Sequence, residues 1–141
     1  MPHLYIVRGL PGSGKTTRAR EIVGTSGAMR LEADMFFELK GSYKFDSKLL
    51  PVAHIWCYSL VVSLLYGDLD VVVSNTFTKL WELENYLAIP NLIEGVTISI
   101  IEMKTQYESI HNVPPEKIEQ MKNRWEEIPE DWKYNVIRVE S

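Results

Sequence analysis

With 141 residues, 45 % of them apolar and 24 % charged, the chain fits one soluble domain of about 100 to 200 residues. A two-domain enzyme, a disordered chain and a fibrous rod are all excluded by these values. The net charge is −4, split between +3 in residues 1–50 and −7 in residues 51–141, which disfavours a whole-surface grip on nucleic acid but permits a local basic rim in the first half.

One cysteine, Cys57, rules out an intramolecular disulfide, and three scattered histidines, His3, His54 and His111, do not have the spacing of a structural zinc site. The start, MPHLYIVRGL, lacks the basic and long apolar regions of an export signal, so reducing cytoplasm is the expected compartment. The longest apolar stretch, Ala53 to Tyr66, is broken by His54, Ser59 and Ser63. It falls short of the roughly 20 residues that span a bilayer. It reads as a buried helix, and no membrane contact is expected.

Leu4 to Val7 is a short apolar run ending in Arg8 and a glycine-rich turn, the pattern of a buried parallel strand feeding a loop. Lys15 to Val23 follows as a helix, with Gly24 as its expected C-cap. Ala28 to Leu31 reads as a second strand, and Glu32 to Phe37 carries the chain off its end. Asp46 is placed to cap a long helix over Ser47 to Tyr66, with Pro51 in its first turns. Val71 to Val73 is a β-branched triplet suited to a central strand. A helix over Thr78 to Ala88, a strand over Gly95 to Ile101, a helix over Pro114 to Trp125 and a strand over Asn135 to Val139 complete the chain. Between the last two, the acidic Glu126 to Lys133 reads as a surface connector. Strands alternating with helices predict a single α/β domain over residues 1–141, its sheet mainly parallel and flanked by helices.

Gly9-Leu10-Pro11-Gly12-Ser13-Gly14-Lys15-Thr16 satisfies G-x-x-x-x-G-K-[ST], with a strand before it and a helix after it. Glycines let backbone amides turn toward a phosphate, and the first helical turn aims free N–H groups and a positive dipole end at the same point. The residues expected to bind nucleotide are Gly9, Pro11, Gly12, Ser13, Gly14, Lys15, Thr16 and Thr17. Lys15 is expected on the β- and γ-phosphates and the Thr16 hydroxyl on Mg²⁺. The motif therefore leads one to expect a nucleoside triphosphate with Mg²⁺. The loop does not choose among kinase, GTPase and ATPase.

The segments LYIVRGLPGSGKTT, EADMFF, YKFD, AHIWC, VVVSNTFT, HNVPPEKI and RWE, in this order, resemble the small P-loop kinases related to the 5′-kinase domain of phage polynucleotide kinase. The resemblance runs from about Leu4 to Trp125. It implies a P-loop NTPase fold of about five strands in the order 2-3-1-4-5. It also implies transfer of phosphate from ATP to a hydroxyl, most often a nucleic-acid 5′ end.

Asp34, just past the second strand, holds the general-base position of this family by resemblance, a role worth about 10² to 10⁴ in rate. The competing reading is a helix N-cap for Met35 to Leu39, and Glu32 is a rival carboxylate. Two departures from the family stand out. Ser74, Asn75 and Thr76, at the end of the valine strand, are expected to face the nucleotide, yet Ser74 and Asn75 stand where relatives tend to carry an aspartate that orients the metal. The lid segment Lys104 to His111, KTQYESIH, has no arginine, although an arginine aimed at the transferring phosphate contributes about 10³ to 10⁵ in rate. Lys104 is the nearest substitute, with Arg124, Arg18 and Arg20 behind it. Three readings follow: a kinase acting on a nucleic-acid 5′-hydroxyl or nucleotide-like acceptor, a nucleotide-binding switch or adaptor with weak transfer, and a small-molecule kinase.

His54 and Cys57, one helical turn apart, are expected to be core residues and not metal ligands or nucleophiles. Trp81, Trp125 and Trp132 are expected in the core or at contacts. His111 is expected to fix the return of the lid to the sheet.

Overall fold

The computed structural model describes residues 1–105 and 113–140. Its five strands, β1 (His3–Gly9), β2 (Met29–Leu31), β3 (Val71–Asn75), β4 (Thr97–Met103) and β5 (Asn135–Val139), form one sheet. Every pairing is parallel, in the order β2-β3-β1-β4-β5. The helices are α1 (Lys15–Ser26), α2 (Leu50–Tyr66), α3 (Leu80–Leu87), α4 (Ile89–Leu92) and α5 (Pro115–Arg124). The parallel α/β sheet is the one expected from the alternating pattern, and its strand order is the one implied by the resemblance to small P-loop kinases.

The central strands β1, β3 and β4 are largely buried on both faces, while β2 and β5 at the edges are partly exposed, and alternation along the strands sorts the core in two. Leu4, Ile6, Val71 and Val73 join Ala53, Cys57, Val61 and Leu65 of α2 on one face. Val7 and Val72 join Ala19 of α1 on the other. The α1 face carries the glycine loop, so only strand residues in register with Val7 and Val72 can look toward it.

Several local expectations change. Gly24 lies inside α1, which continues to Ser26 and ends at Gly27 (φ 75°), whose N–H donates to the Val23 carbonyl. The left-handed cap falls at the second glycine, and the first costs the helix only propensity. Asp46 does cap, accepting from the Lys48 amide ahead of a short 3₁₀ turn over Ser47–Leu49. α2 then starts at Leu50, with Pro51 in its first turn.

α2 is not buried all round. Ala53, Cys57, Val61 and Leu65 form its buried stripe, while Val52, Ile55 and Tyr66 are exposed. His54 is exposed too, so it is no core histidine. Together with the turn before it, Ser47–Tyr66 makes 20 residues, whose most apolar stretch of 18 has a mean hydropathy of 1.7, long and apolar enough to cross a membrane by length and composition alone. Its i, i+4 stripe packs on the sheet in the manner of a core helix.

The connector before β5 is also pinned more firmly than a surface loop. Ile128 is buried, the Glu126 amide donates to the Thr78 carbonyl, and a Glu126 carboxylate oxygen accepts from the Leu80 amide.

Candidate nucleotide site

Gly9 closes β1 where a Cβ would collide with Ser13 Oγ and press on Met103. Gly12 and Gly14 take left-handed φ values of 83° and 88°, which L side chains rarely adopt. The Ser13 amide donates to the Leu10 carbonyl at 3.1 Å, and α1 opens with the Arg18 amide on the Gly14 carbonyl at 3.0 Å. The loop is braced from outside by Thr105, whose hydroxyl donates to the Ser13 carbonyl at 2.6 Å. Inside it, Ser13 Oγ is buried without a hydrogen-bond partner among the described residues. The loop amides and the start of α1 thus form a concave set of donors, the arrangement that receives phosphate.

Lys15 lies against this cradle. Its ammonium makes a long 3.4 Å contact to the Leu10 carbonyl. Burial pushes its pKa below the ordinary lysine range, opposed by the charge of Glu32. Thr16 is half-buried and Thr17 exposed at the same end of α1.

Glu32 and Ser74 stand side by side at the ends of β2 and β3, the Ser74 hydroxyl donating to Glu32 Oε2 at 3.2 Å. Leu31 and Val73 are paired in register and belong to the α2-side cluster, so the next residue on each strand faces α1 and the loop. Asn75 therefore does not face the nucleotide as expected. It is buried on the α2 side, where Oδ1 accepts the Ala33 amide at 2.9 Å. Its work is to fix the chain just before Asp34.

Asp34 is exposed and accepts a 2.8 Å hydrogen bond from the Tyr43 hydroxyl on Oδ1. The short 3₁₀ helix Ala33–Glu38 begins after Glu32, and no side chain caps it. The N-cap reading of Asp34 is therefore set aside: the residue sits inside the first turn and caps nothing.

Of the candidate substitutes for a lid arginine, Lys104 is held by both Glu127 carboxylate oxygens at 2.8 and 2.7 Å. This contact keeps the Glu127 carboxyl below its usual range. Arg18 pairs with Glu21 at 3.4 Å, and Arg20 and Arg124 are exposed. Residues 106–112, with most of the expected lid and His111, lie outside the described residues. A cavity of about 200 Å³ lies beside the loop, lined by Leu10, Met103, Lys104, Thr105, Lys122, Trp125 and Glu127.

The reading of the sequence missed the neighbour on the other side of the loop. Arg8 is fully buried, bonded to Glu102 Oε2 at 2.8 Å. It donates further to the carbonyls of Phe77, Thr78 and Glu126 and lies 3.8 Å over the Trp125 ring. Arg138 reaches the second oxygen of Glu102 at 3.0 Å. The signal was present: one charge inside each of two apolar strands has to find the other.

A family model described as an AAA domain matches residues 4–112. Human NEDD4-binding protein 2 is 35 % identical over 89 residues, 61 % of this chain, and the chain spans only 5 % of that relative's length. A kinase candidate from Chloroflexus aurantiacus superposes with a TM-score of 0.73 at 18 % identity, over 99 % of this chain and 88 % of that one. A chain of the Pnkp1/Rnl/Hen1 RNA repair complex gives 0.68 at 22 % identity, over 87 % of this chain and 43 % of that one. At these identities the solved structures speak for the fold. The family match covers most of the sequence, from β1 through the segment after β4, and on that footing the chain belongs to the AAA domain family.

Proposed function

We propose that the protein is an ATP-dependent phosphotransferase that passes the γ-phosphate to a hydroxyl, a nucleic-acid 5′-OH or a nucleotide-like alcohol first among acceptors. The observation that carries the reading is the placement of Asp34. Its exposed carboxylate follows the end of β2, beside a strand end that faces the glycine loop, and one oxygen is held by Tyr43. An open α/β sheet receives its ligands at such strand ends. A carboxylate there accepts the proton of the attacking hydroxyl as the bond to phosphorus forms.

In this reading the loop from Gly9 to Thr17 binds the phosphates through its amides, with Pro11 shaping the turn. Lys15 exchanges its weak contact with Leu10 for phosphate oxygens. Mg²⁺ bound with a nucleotide keeps several waters and takes only one or two protein oxygens. The half-buried Thr16 meets that modest demand, and no group of three or more His, Cys, Asp or Glu among the described residues offers an all-protein cage. Mg²⁺ would neutralise charge that builds on the phosphates during transfer. The buried free thiol of Cys57 suits a reducing cytoplasm.

A second reading, a nucleotide-responsive adaptor with slow transfer, is favoured by Lys104, which Glu127 holds in an ion pair. Incubation with γ-labelled ATP and a panel of 5′-hydroxyl oligonucleotides, nucleosides, sugars and small alcohols separates the readings. Label on one acceptor class is expected and names the substrate. Tight ATP binding with no labelled acceptor would replace the kinase by the adaptor.

A further inference from the structure

The end of β3 lacks the acidic residue that the resemblance leads one to expect, yet the space beside it is not neutral. Glu32 and Ser74 both face the α1 side of the sheet, and the Ser74 hydroxyl donates to Glu32 Oε2 at 3.2 Å. Arg30 reaches the same oxygen at 3.4 Å. Both of these contacts fall on Oε2, so among the described residues Oε1 is open to accept from a water. Register puts Glu32 on the α1 side of the sheet, the side that carries the phosphate cradle, and its charge acts on the Lys15 ammonium. Its side chain is 24 % exposed, enough for hydrated metal to reach it.

We propose that Glu32, held by Ser74, is the positioning residue that orients the water shell of the nucleotide-bound divalent cation, so that the acidic group comes from the end of β2 instead of β3. The inference rests on the nucleotide-binding part of the function proposed above. A carboxylate one strand away can do this work because a hydrated Mg²⁺ is held largely through its waters. The hydroxyl of Ser74 fixes the carboxylate rotamer and fills the place where a second negative charge would repel it. Glu32 therefore ceases to be a rival of Asp34: the two carboxylates, separated by one residue, divide metal orientation and proton acceptance between them.

The test is the effect of Mg²⁺ on affinity for a non-hydrolysable ATP analogue, measured calorimetrically with Mg²⁺ and again in EDTA. Wild type is expected to bind more tightly with Mg²⁺. Glu32→Gln should shrink that gain by about tenfold or more, the usual range for loss of an outer partner of a metal. Its affinity in EDTA should hold or improve, because a negative charge has left the phosphate site. Ser74→Ala, which frees the carboxylate without removing it, should shrink the gain less, and it carries the test if Glu32→Gln does not fold. Glu32→Gln combined with Ser74→Asp should restore the gain by returning the charge to β3. A full Mg²⁺ gain in folded Glu32→Gln would overturn the inference. So would a wild type that binds the analogue equally well in EDTA, although the nucleotide site would stand. Failure of wild type to bind the analogue under either condition would overturn the nucleotide site as well.

Discussion

Two cations flank the glycine loop, Arg8 fully buried and Lys15 half-buried, and the fold treats them in opposite ways. Arg8, one residue before the loop, has Glu102, three backbone carbonyls and the face of Trp125 around it. Lys15, near its end, has one 3.4 Å contact and a carboxylate acting from further off. A buried charge is costly unless paired. Arg8 meets that cost within the protein and is architecture, clamping β1 to β4, to the turn after β3 and to the segment after α5. Lys15 leaves it open, and the ligand that closes it must bring anionic oxygens of its own.

The largest effect should come from breaking the paired cation. Glu102→Ala leaves Arg8 and Arg138 without their carboxylate and should cost about 3 to 5 kcal/mol, the range for one partner removed from a buried ion pair. Urea unfolding measures it. Adding Arg8→Met should recover little, because the carbonyls of Phe77, Thr78 and Glu126 then lose their donor. A double variant as stable as wild type would show that Arg8 is not the clamp described.

Lys15→Ala should act the other way on the unliganded protein. ATP affinity should fall by about one to two orders of magnitude, the worth of a charge-assisted hydrogen bond in a partly dry site. The melting temperature without nucleotide should rise, since an under-paired, half-buried charge has gone. The pH dependence follows from the sign of the shift. The pKa of Lys15 is lowered in the fold, so its destabilising effect is complete below the folded value and fades as pH rises through it toward the unfolded value. The thermal advantage of the variant should therefore narrow under alkaline conditions. An unliganded variant less stable than wild type at neutral pH would contradict the contrast between the two cations.

A smaller effect is expected from Tyr43→Phe, which removes the hydrogen bond on Asp34. The loss in stability should stay at or below about 1 kcal/mol, as for a single exposed-side hydrogen bond, with a modest fall in transfer rate. Desolvation first, then the bond and charge of Asp34, push the Tyr43 hydroxyl up to about 12. In wild type this contribution is whole below the unfolded tyrosine value and is lost as pH rises through about 12. Titration of the tyrosines by absorbance should show one fewer late-ionising group in the variant.

The parts of the molecule governed by local pattern were legible in the sequence. The strand over Asn135–Val139 and the loop-helix junction at Lys15 are where the residues place them, because alternating apolar runs and glycine turns leave few choices. What could not be read depended on partners distant in sequence. Asp34 and Tyr43 meet only because the chain between them turns back. Asn75 faces away from the nucleotide because strand alternation assigns Ser74, not Asn75, to the α1 side. Arg8 and Glu102 are 94 residues apart, and only the rule that buried charges pair could have joined them. The exposed side of α2 escaped notice because its composition is apolar on every face, and composition does not say which stripe the sheet takes.

The central claim is that Asp34 takes a proton from an acceptor hydroxyl while ATP sits on the glycine loop. Single-turnover transfer from γ-labelled ATP to the acceptor identified by the panel, compared between wild type and Asp34→Asn, tests it most directly. The substitution is nearly isosteric and can still accept from Tyr43. The account predicts unchanged ATP affinity with transfer slowed by about 10² or more. Transfer at the wild-type rate in the folded, ATP-binding variant would contradict it.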